Sequence, residues 1–197
     1  MKTRPMIVAA CLLALSACGG EPPPAEQSAA PAAPAAPAAP TEAPVAEPTA
    51  GERLDAVLAA QSDETKARYA YRHPKEMLEF FGVVPGMTVV DTLPGEVWYT
   101  GILLDYLGPQ GRVIGADYSP GMWALFGEYA PDPAESAKWA AEFVAGTEGR
   151  RGADDASVAA LQFGAVPAEL AGTVDVVLLS RAVHHLIRFE GDGGWMT

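Results

Sequence analysis

The chain has 197 residues, with 13 Lys and Arg against 25 Asp and Glu, two cysteines and 18 prolines. The first 17 residues hold two of the cations, Lys2 and Arg4, and no acid, so the other 180 carry 11 basic and 25 acidic groups, a net charge of −14. A field of that sign excludes a nucleic-acid binder, which needs positive potential to meet phosphate. Residues 51–197, 147 in all, are enough for one domain with a substantial core and too few for two.

Behind Lys2 and Arg4 runs the apolar segment 6–15, MIVAACLLAL. About ten residues fall well short of the roughly 20 that span a bilayer, so residues 1–17 read as a signal peptide. The segment closes on Leu15-Ser16-Ala17-Cys18, which resembles the bacterial lipobox. The resemblance implies cleavage before Cys18 and a lipid anchor on its thiol. Gly19 in place of an aspartate implies the outer membrane, with the protein facing the periplasm. Cys11 leaves with the signal and Cys18 is acylated, so no thiol remains for a disulfide, a metal site or thiolate chemistry. Residues 18–50 form a tether: from position 19 on, nine of 32 residues are proline and twelve alanine, with a Pro-Ala-Ala repeat over 31–40. Such a composition has almost nothing to bury, and at roughly 3.1 Å per residue in polyproline II it reaches about 100 Å.

In the domain that follows, Leu54, Val57 and Leu58 sit at helical spacing, and Ser62-Asp63-Glu64 gives a second helix its N-cap and an acidic first turn. Pro74 opens another helix, PKEMLEFF, with Met77, Leu78 and Phe81 on one face, and Val84-Pro85-Gly86 turns the chain. Residues 87–91 then read as a strand ending in Asp91, 92–97 as a turn, and 98–107 as a helix with Tyr99, Ile102, Leu103 and Tyr106 in a stripe. After Gly108, residues 112–117 form a second strand ending in Asp117. Ser119-Pro120 caps a helix whose Met122, Leu125, Phe126 and Tyr129 keep helical spacing through position 129. Residues 134–145 extend the helical region with Trp139 and Phe143; 157–163 and 173–180 are the third and fourth strands. The strands are apolar throughout rather than alternating, and the loops between are short. This is the pattern of an α/β domain whose mostly parallel sheet carries helices on both faces.

In such a sheet the ligand crevice lies beyond the carboxyl ends of the strands. Asp91 and Asp117 both stand there, 26 residues apart, near the separation of about 20 at which a second-strand acid takes the hydroxyls of a ribose. Arg68, Arg72 and His73 precede the first strand and read as a surface helix bordering that edge. A metal site is not expected, since His73 is far from His184 and His185 and no cysteine is free.

Residues 74–188 as a whole resemble the Rossmann-type S-adenosylmethionine-dependent methyltransferases, above all a bacterial group whose first loop runs acid-x-x-Pro-Gly-x-Gly-Trp-Tyr-Thr. This chain has Asp91-Thr92-Leu93-Pro94-Gly95-Glu96-Val97-Trp98-Tyr99-Thr100, followed by GRVIGADYSPGMW over 111–123. The resemblance implies an enzyme with S-adenosylmethionine as cofactor. It places Leu93, Pro94 and Gly95 against the methionine moiety, Asp91 as the residue that orients the loop and the ammonium group, and Asp117 with Tyr118 at the ribose. Of the family's three glycine positions only the second, Gly95, is glycine; the first is Leu93, and at the third Val97 sets a Cβ where backbone is expected. Adjacent histidines point apart, so at most one of His184 and His185 is expected to face the crevice. His184 is assigned as the base that takes a proton from an unidentified acceptor. The family has seven strands, so a chain with four is expected to end inside its domain. The competing function is a non-catalytic lipoprotein that keeps the fold as a binding or scaffolding module.

Overall fold

The chain divides into a unit of Met1–Pro44 and a unit of Val45–Thr197. A computed structural model describes residues 47–189, all in the second unit. The signal segment, Cys18 and tether residues 18–46 lie outside the described residues, as do residues 190–197.

Four short helices come first: α1 (Ala50–Ala60), α2 (Asp63–Lys66), α3 (Tyr69–Arg72) and α4 (Pro74–Phe80). Helix α1 begins on a capping box in which the Thr49 hydroxyl accepts from the Glu52 amide and the Glu52 carboxylate accepts from the Thr49 amide. Ser62 caps α2, as its sequence suggests. The core alternation follows: β1 (Thr88–Thr92), α5 (Trp98–Leu107), β2 (Arg112–Asp117), α6 (Pro120–Ala124), α7 (Pro133–Glu148), β3 (Ser157–Gln162), β4 (Val176–Leu178) and α8 (Val183–Arg188).

The strands form one all-parallel sheet in the order β3-β2-β1-β4. From β1 the chain moves outward through β2 and β3, then returns to lay β4 on the far side of β1. The strand order therefore reverses between β1 and β4, the switch point at which α/β sheets of the Rossmann-like type open a crevice.

Helix α5 is buried on most of its circumference. It lies over Val89 and Val113 of the sheet and under Leu54, Leu58 and Leu78 of α1 and α4. Its aromatic stripe fastens that outer layer. Tyr106 donates to Val83 O at 2.9 Å, Tyr99 to Arg72 O at 3.1 Å, and Trp98 Nε1 to Thr65 O at 3.2 Å. Arg53 on α1 donates to the carbonyls of Asp105 and Tyr106, both at 2.8 Å, and so caps the C-terminus of α5. Helix α7 packs on the same side of the sheet, where Phe143 fills the space above Gly115; a Cβ on Gly115 would lie 2.5 Å from the ring.

Three expectations are corrected. The helix read through Tyr129 stops at Ala124, because Gly127 takes φ +60° and starts a separate 3-10 turn, Gly127–Tyr129. The strand read over 173–180 pairs only along Val176–Leu178. Thr173 is drawn instead into the preceding turn by its hydroxyl bond to Leu170 O at 3.0 Å, and β4 has a partner only in β1. Nor, among the described residues, do helices cover both faces. Among the described residues the face of Val90, Ile114, Ala116 and Leu161 is met by the 3-10 turn Ala168–Leu170, because the β3–β4 connection forms no longer helix. An apolar groove of about 500 Å³ remains along that face.

Candidate functional site

The crevice is built on the loop that leaves β1. Leu93 N donates to Ala116 O at 2.7 Å, which carries the β-ladder one residue past the strand, and Val97 N donates back to Pro94 O at 3.0 Å. The loop makes this turn by placing alternate residues in left-handed backbone: φ is 56° at Leu93, 55° at Gly95 and 55° at Val97. These are the three positions at which the sequence pattern leads one to expect glycine. The L-residues at two of them hold a conformation that costs roughly 1–2 kcal/mol each, and for β-branched Val97 it is exceptional. The consequence of Val97 thus lies in the backbone as well as in the space its Cβ occupies.

Asp91 closes β1 beneath this loop, 3% exposed, with Thr100 of α5 donating to it at 2.6 Å. Burial pushes its carboxyl up to about 6; the Thr100 bonds and the nearby Arg72 guanidinium oppose the shift. Arg72 is drawn to this edge because its carbonyl is held by Tyr99. Its guanidinium stands 5.4 Å from the Trp98 ring centre and 5.9 Å from that of Tyr99. Arg68, from the turn before α3, reaches the same loop by an ion pair with Glu96 at 2.6 Å. Arg72, Asp91, Thr92, Gly95, Ser180 and Arg181 face a cavity of about 390 Å³ at the switch point. His73 lies elsewhere, in a pocket among α1, α3 and α4.

A larger cavity, about 660 Å³, continues from this one and shares Leu93, Pro94, Gly95 and Arg181 with it. Asp117 ends β2 at its floor, and burial raises its carboxyl above the ordinary range against the pull of the Tyr118 amide and the Trp123 indole. Tyr118 packs within an aromatic group of Trp123, Phe126 and Phe163, at ring separations of 4.9, 5.3 and 5.7 Å. Burial, with Asp117 beside it, pushes the Tyr118 phenol up to about 12, so it remains an un-ionised donor and acceptor. Helix α7 forms the opposite wall with Glu135, Ser136, Trp139 and Glu142.

Four buried side-chain atoms among the described residues have no hydrogen-bond partner: Arg72 Nε, Thr92 Oγ1, Tyr118 Oη and Ser136 Oγ. All four residues line these two adjoining cavities. Buried polar groups are normally satisfied, and leaving one unpaired costs about 1–3 kcal/mol, so their concentration at one edge of the sheet singles out these cavities as the candidate site.

The sequence-expected residues Asp91, Leu93, Pro94, Gly95, Asp117 and Tyr118 are brought together here. His184 is not. It is exposed, and the histidine that lines the larger cavity is its neighbour His185. Helix α8 turns Leu186 into the core and, one residue earlier, His185 against Phe126 at 5.5 Å, which leaves His184 on the outer side. Burial, with His184 and Arg188 nearby, lowers the His185 pKa, so its ring is neutral near pH 7. Ser136, Trp139 and Arg181 were missed as site residues. Trp139 announced itself only as an apolar position on a helix, and nothing in the sequence shows that Arg181 takes left-handed backbone, φ 63°, at the crevice. In sequence the chain matches no protein-family model and no curated protein, so the geometry of the site carries the functional reading.

Proposed function

We propose that the protein binds S-adenosylmethionine across the two cavities and transfers its methyl group to an acceptor. The observation that carries this reading is the set of four partnerless polar atoms beside two buried carboxylates at the β1–β4 switch point. The donor set fits the cofactor part by part. Asp91 offers a desolvated carboxylate to an ammonium, Arg72 a guanidinium with a free Nε–H to a carboxylate, and Asp117 a paired acceptor to a ribose diol. Tyr118, Trp123 and the Ser136 hydroxyl present an apolar and hydrogen-bonding surface suited to a purine.

When bound, the cofactor supplies an electrophilic methyl carbon on a sulfonium. The chain's own contribution is positioning: the left-handed loop sets backbone amides against the ligand, and the aromatic group excludes water from it. His185, neutral near pH 7, is placed to accept the proton an oxygen or nitrogen acceptor gives up, the role first assigned to His184. A lipid on Cys18 and a Pro/Ala tether would hold this domain at the outer membrane on its periplasmic side. Radiolabelled palmitate incorporation that disappears in Cys18→Ala tests that part.

The cofactor reading is tested by calorimetric titration of the full chain with S-adenosylhomocysteine, with Asp117→Ala alongside. Micromolar binding lost in the variant is the expected result, and a folded protein with no heat of binding sinks the proposal. A second reading, a binding or scaffolding module without transfer, is favoured by Leu93 and Val97 in strained backbone. It predicts a folded protein that gives no heat of binding with S-adenosylhomocysteine and transfers no methyl group to any acceptor supplied.

A further inference from the structure

We infer that the α7 wall of the larger cavity is a recognition site for an organic cation, a primary ammonium carried on a short flat or apolar body. Glu135, Ser136, Trp139 and Glu142 follow one another at positions i, i+1, i+4 and i+7, so one face of α7 delivers all four to the cavity. Across from them stand Trp123 and Tyr129. The indole of Trp139 is fixed from below, stacked on Phe143 at 5.2 Å and 29°, and Phe143 itself rests on the bare backbone of Gly115. A ring held in this way presents its face to the cavity without losing freedom on binding, and π faces attract cations.

The charge of the lining has the same sign of preference. Three carboxylates, Asp117, Glu135 and Glu142, face one guanidinium, Arg181, and His185 adds no positive charge near neutrality because its pKa is lowered. Lys138 pairs with Glu135 at 3.0 Å, whereas Glu142 has no ion pair among the described residues. The second, independent sign of a ligand is Ser136. Its side chain is 3% exposed, its hydroxyl has no partner, and its carbonyl is already engaged by Gln162 Nε2 at 2.9 Å. A hydroxyl oxygen in that position accepts an N–H, as does Tyr118 Oη nearby. These hydroxyls can also donate, so it is the carboxylates that set the preference: an anionic guest would be repelled by them, and a purely apolar one would leave both hydroxyls and carboxylates unpaired.

The cation is named as the methyl acceptor only on the strength of the cofactor reading; its binding is independent of it. The test is calorimetric titration of the full chain with benzylamine and, as an anion of matching size, benzoate, each with and without S-adenosylhomocysteine. Benzylamine is expected to bind at least tenfold more tightly than benzoate. Trp139→Ala should weaken it about three- to tenfold, by the loss of a cation–π partner. Glu142→Gln, an exposed change with no packing consequence, should weaken it about two- to fivefold. Benzoate binding as well as benzylamine, or a benzylamine affinity indifferent to Glu142→Gln in a folded protein, overturns the inference. If benzylamine binds as expected while S-adenosylhomocysteine does not, the cation site stands and the cofactor reading falls.

Discussion

Replacing Val97 by glycine and, separately, by alanine measures the strain in the loop without confounding it with packing, because both changes delete the same two methyl groups. At an ordinary helical position alanine is the better of the two by about 1 kcal/mol. At φ 55° the order should invert. An L-residue there loses roughly 1–2 kcal/mol to the contact between Cβ and backbone, and glycine gives back about 0.5–1 kcal/mol through its greater freedom in the unfolded chain. Val97→Gly is therefore expected to be more stable than Val97→Ala by about 1 kcal/mol. Ala141, exposed on α7, supplies the control of opposite sign, Ala141→Gly losing about 1 kcal/mol. Urea unfolding of the full chain followed by circular dichroism resolves the difference if the slopes are equal. Alanine at 97 equal to or better than glycine would refute the left-handed assignment, and with it the account of why this loop departs from its glycine pattern. If the assignment holds, Leu93→Gly against Leu93→Ala repeats the inversion at φ 56°.

Asp91→Asn removes a buried charge while keeping an acceptor for Thr100. Because the folded carboxyl titrates near 6 and its ordinary value is 3.8, the stabilisation from its protonation is complete below about pH 4 and lost as pH rises through 6. The wild type should thus lose about 2–3 kcal/mol relative to Asp91→Asn between pH 4 and 7, and a constant difference across that window contradicts the burial argument. Gly115→Ala drives a methyl into the Phe143 ring and should destabilise by about 1–3 kcal/mol in thermal unfolding, a neutral result meaning that α7 is free to shift. Thr49→Ala removes the hydroxyl half of the α1 capping box, the acceptor for the Glu52 amide, at a cost of about 1 kcal/mol, seen as faster amide exchange in the first turn of α1; unchanged exchange there would deny the cap.

The sheet was legible because its signals are local. The runs at 87–91 and 112–117 are apolar, end in an acid and are bounded by Gly86, Gly108 and Gly111, so type follows from composition and the boundaries to within a residue, β1 running over Thr88–Thr92. The third and fourth strands show the limit of that logic. The segment at 173–180 has the longer apolar run, yet only three residues pair with β1, and Thr173 is held in the preceding turn by its bond to Leu170 O. The modest run at 157–162 pairs over six residues because β2 presents a full ladder to it. At the site, the acids were readable from their places at strand ends. Which histidine faces the cavity was not, because a one-residue choice at the start of α8 depends on how Leu186 packs. Arg72 was readable as a helix residue bordering the crevice edge, but its fixed place there rests on Tyr99 holding its carbonyl across 27 positions of sequence.

The site also shows where the fold has given up stability. Two carboxylates are held above their ordinary pKa by burial, three L-residues (Leu93, Val97 and Arg181) sit in left-handed backbone, and four polar atoms lack partners, all within one edge of a four-stranded sheet. Elsewhere the described residues follow the opposite policy: Tyr69, Tyr99 and Tyr106 each find a carbonyl, and Arg53 satisfies the end of α5 with two bonds. Unsatisfied groups scattered at random would suggest a poorly formed domain. Gathered at the point where strand order reverses, they coincide with the crevice in which the proposed ligand would find unpaired partners. A ligand that satisfies these groups stabilises the folded chain by mass action, so affinity and stability are here two measurements of the same interactions.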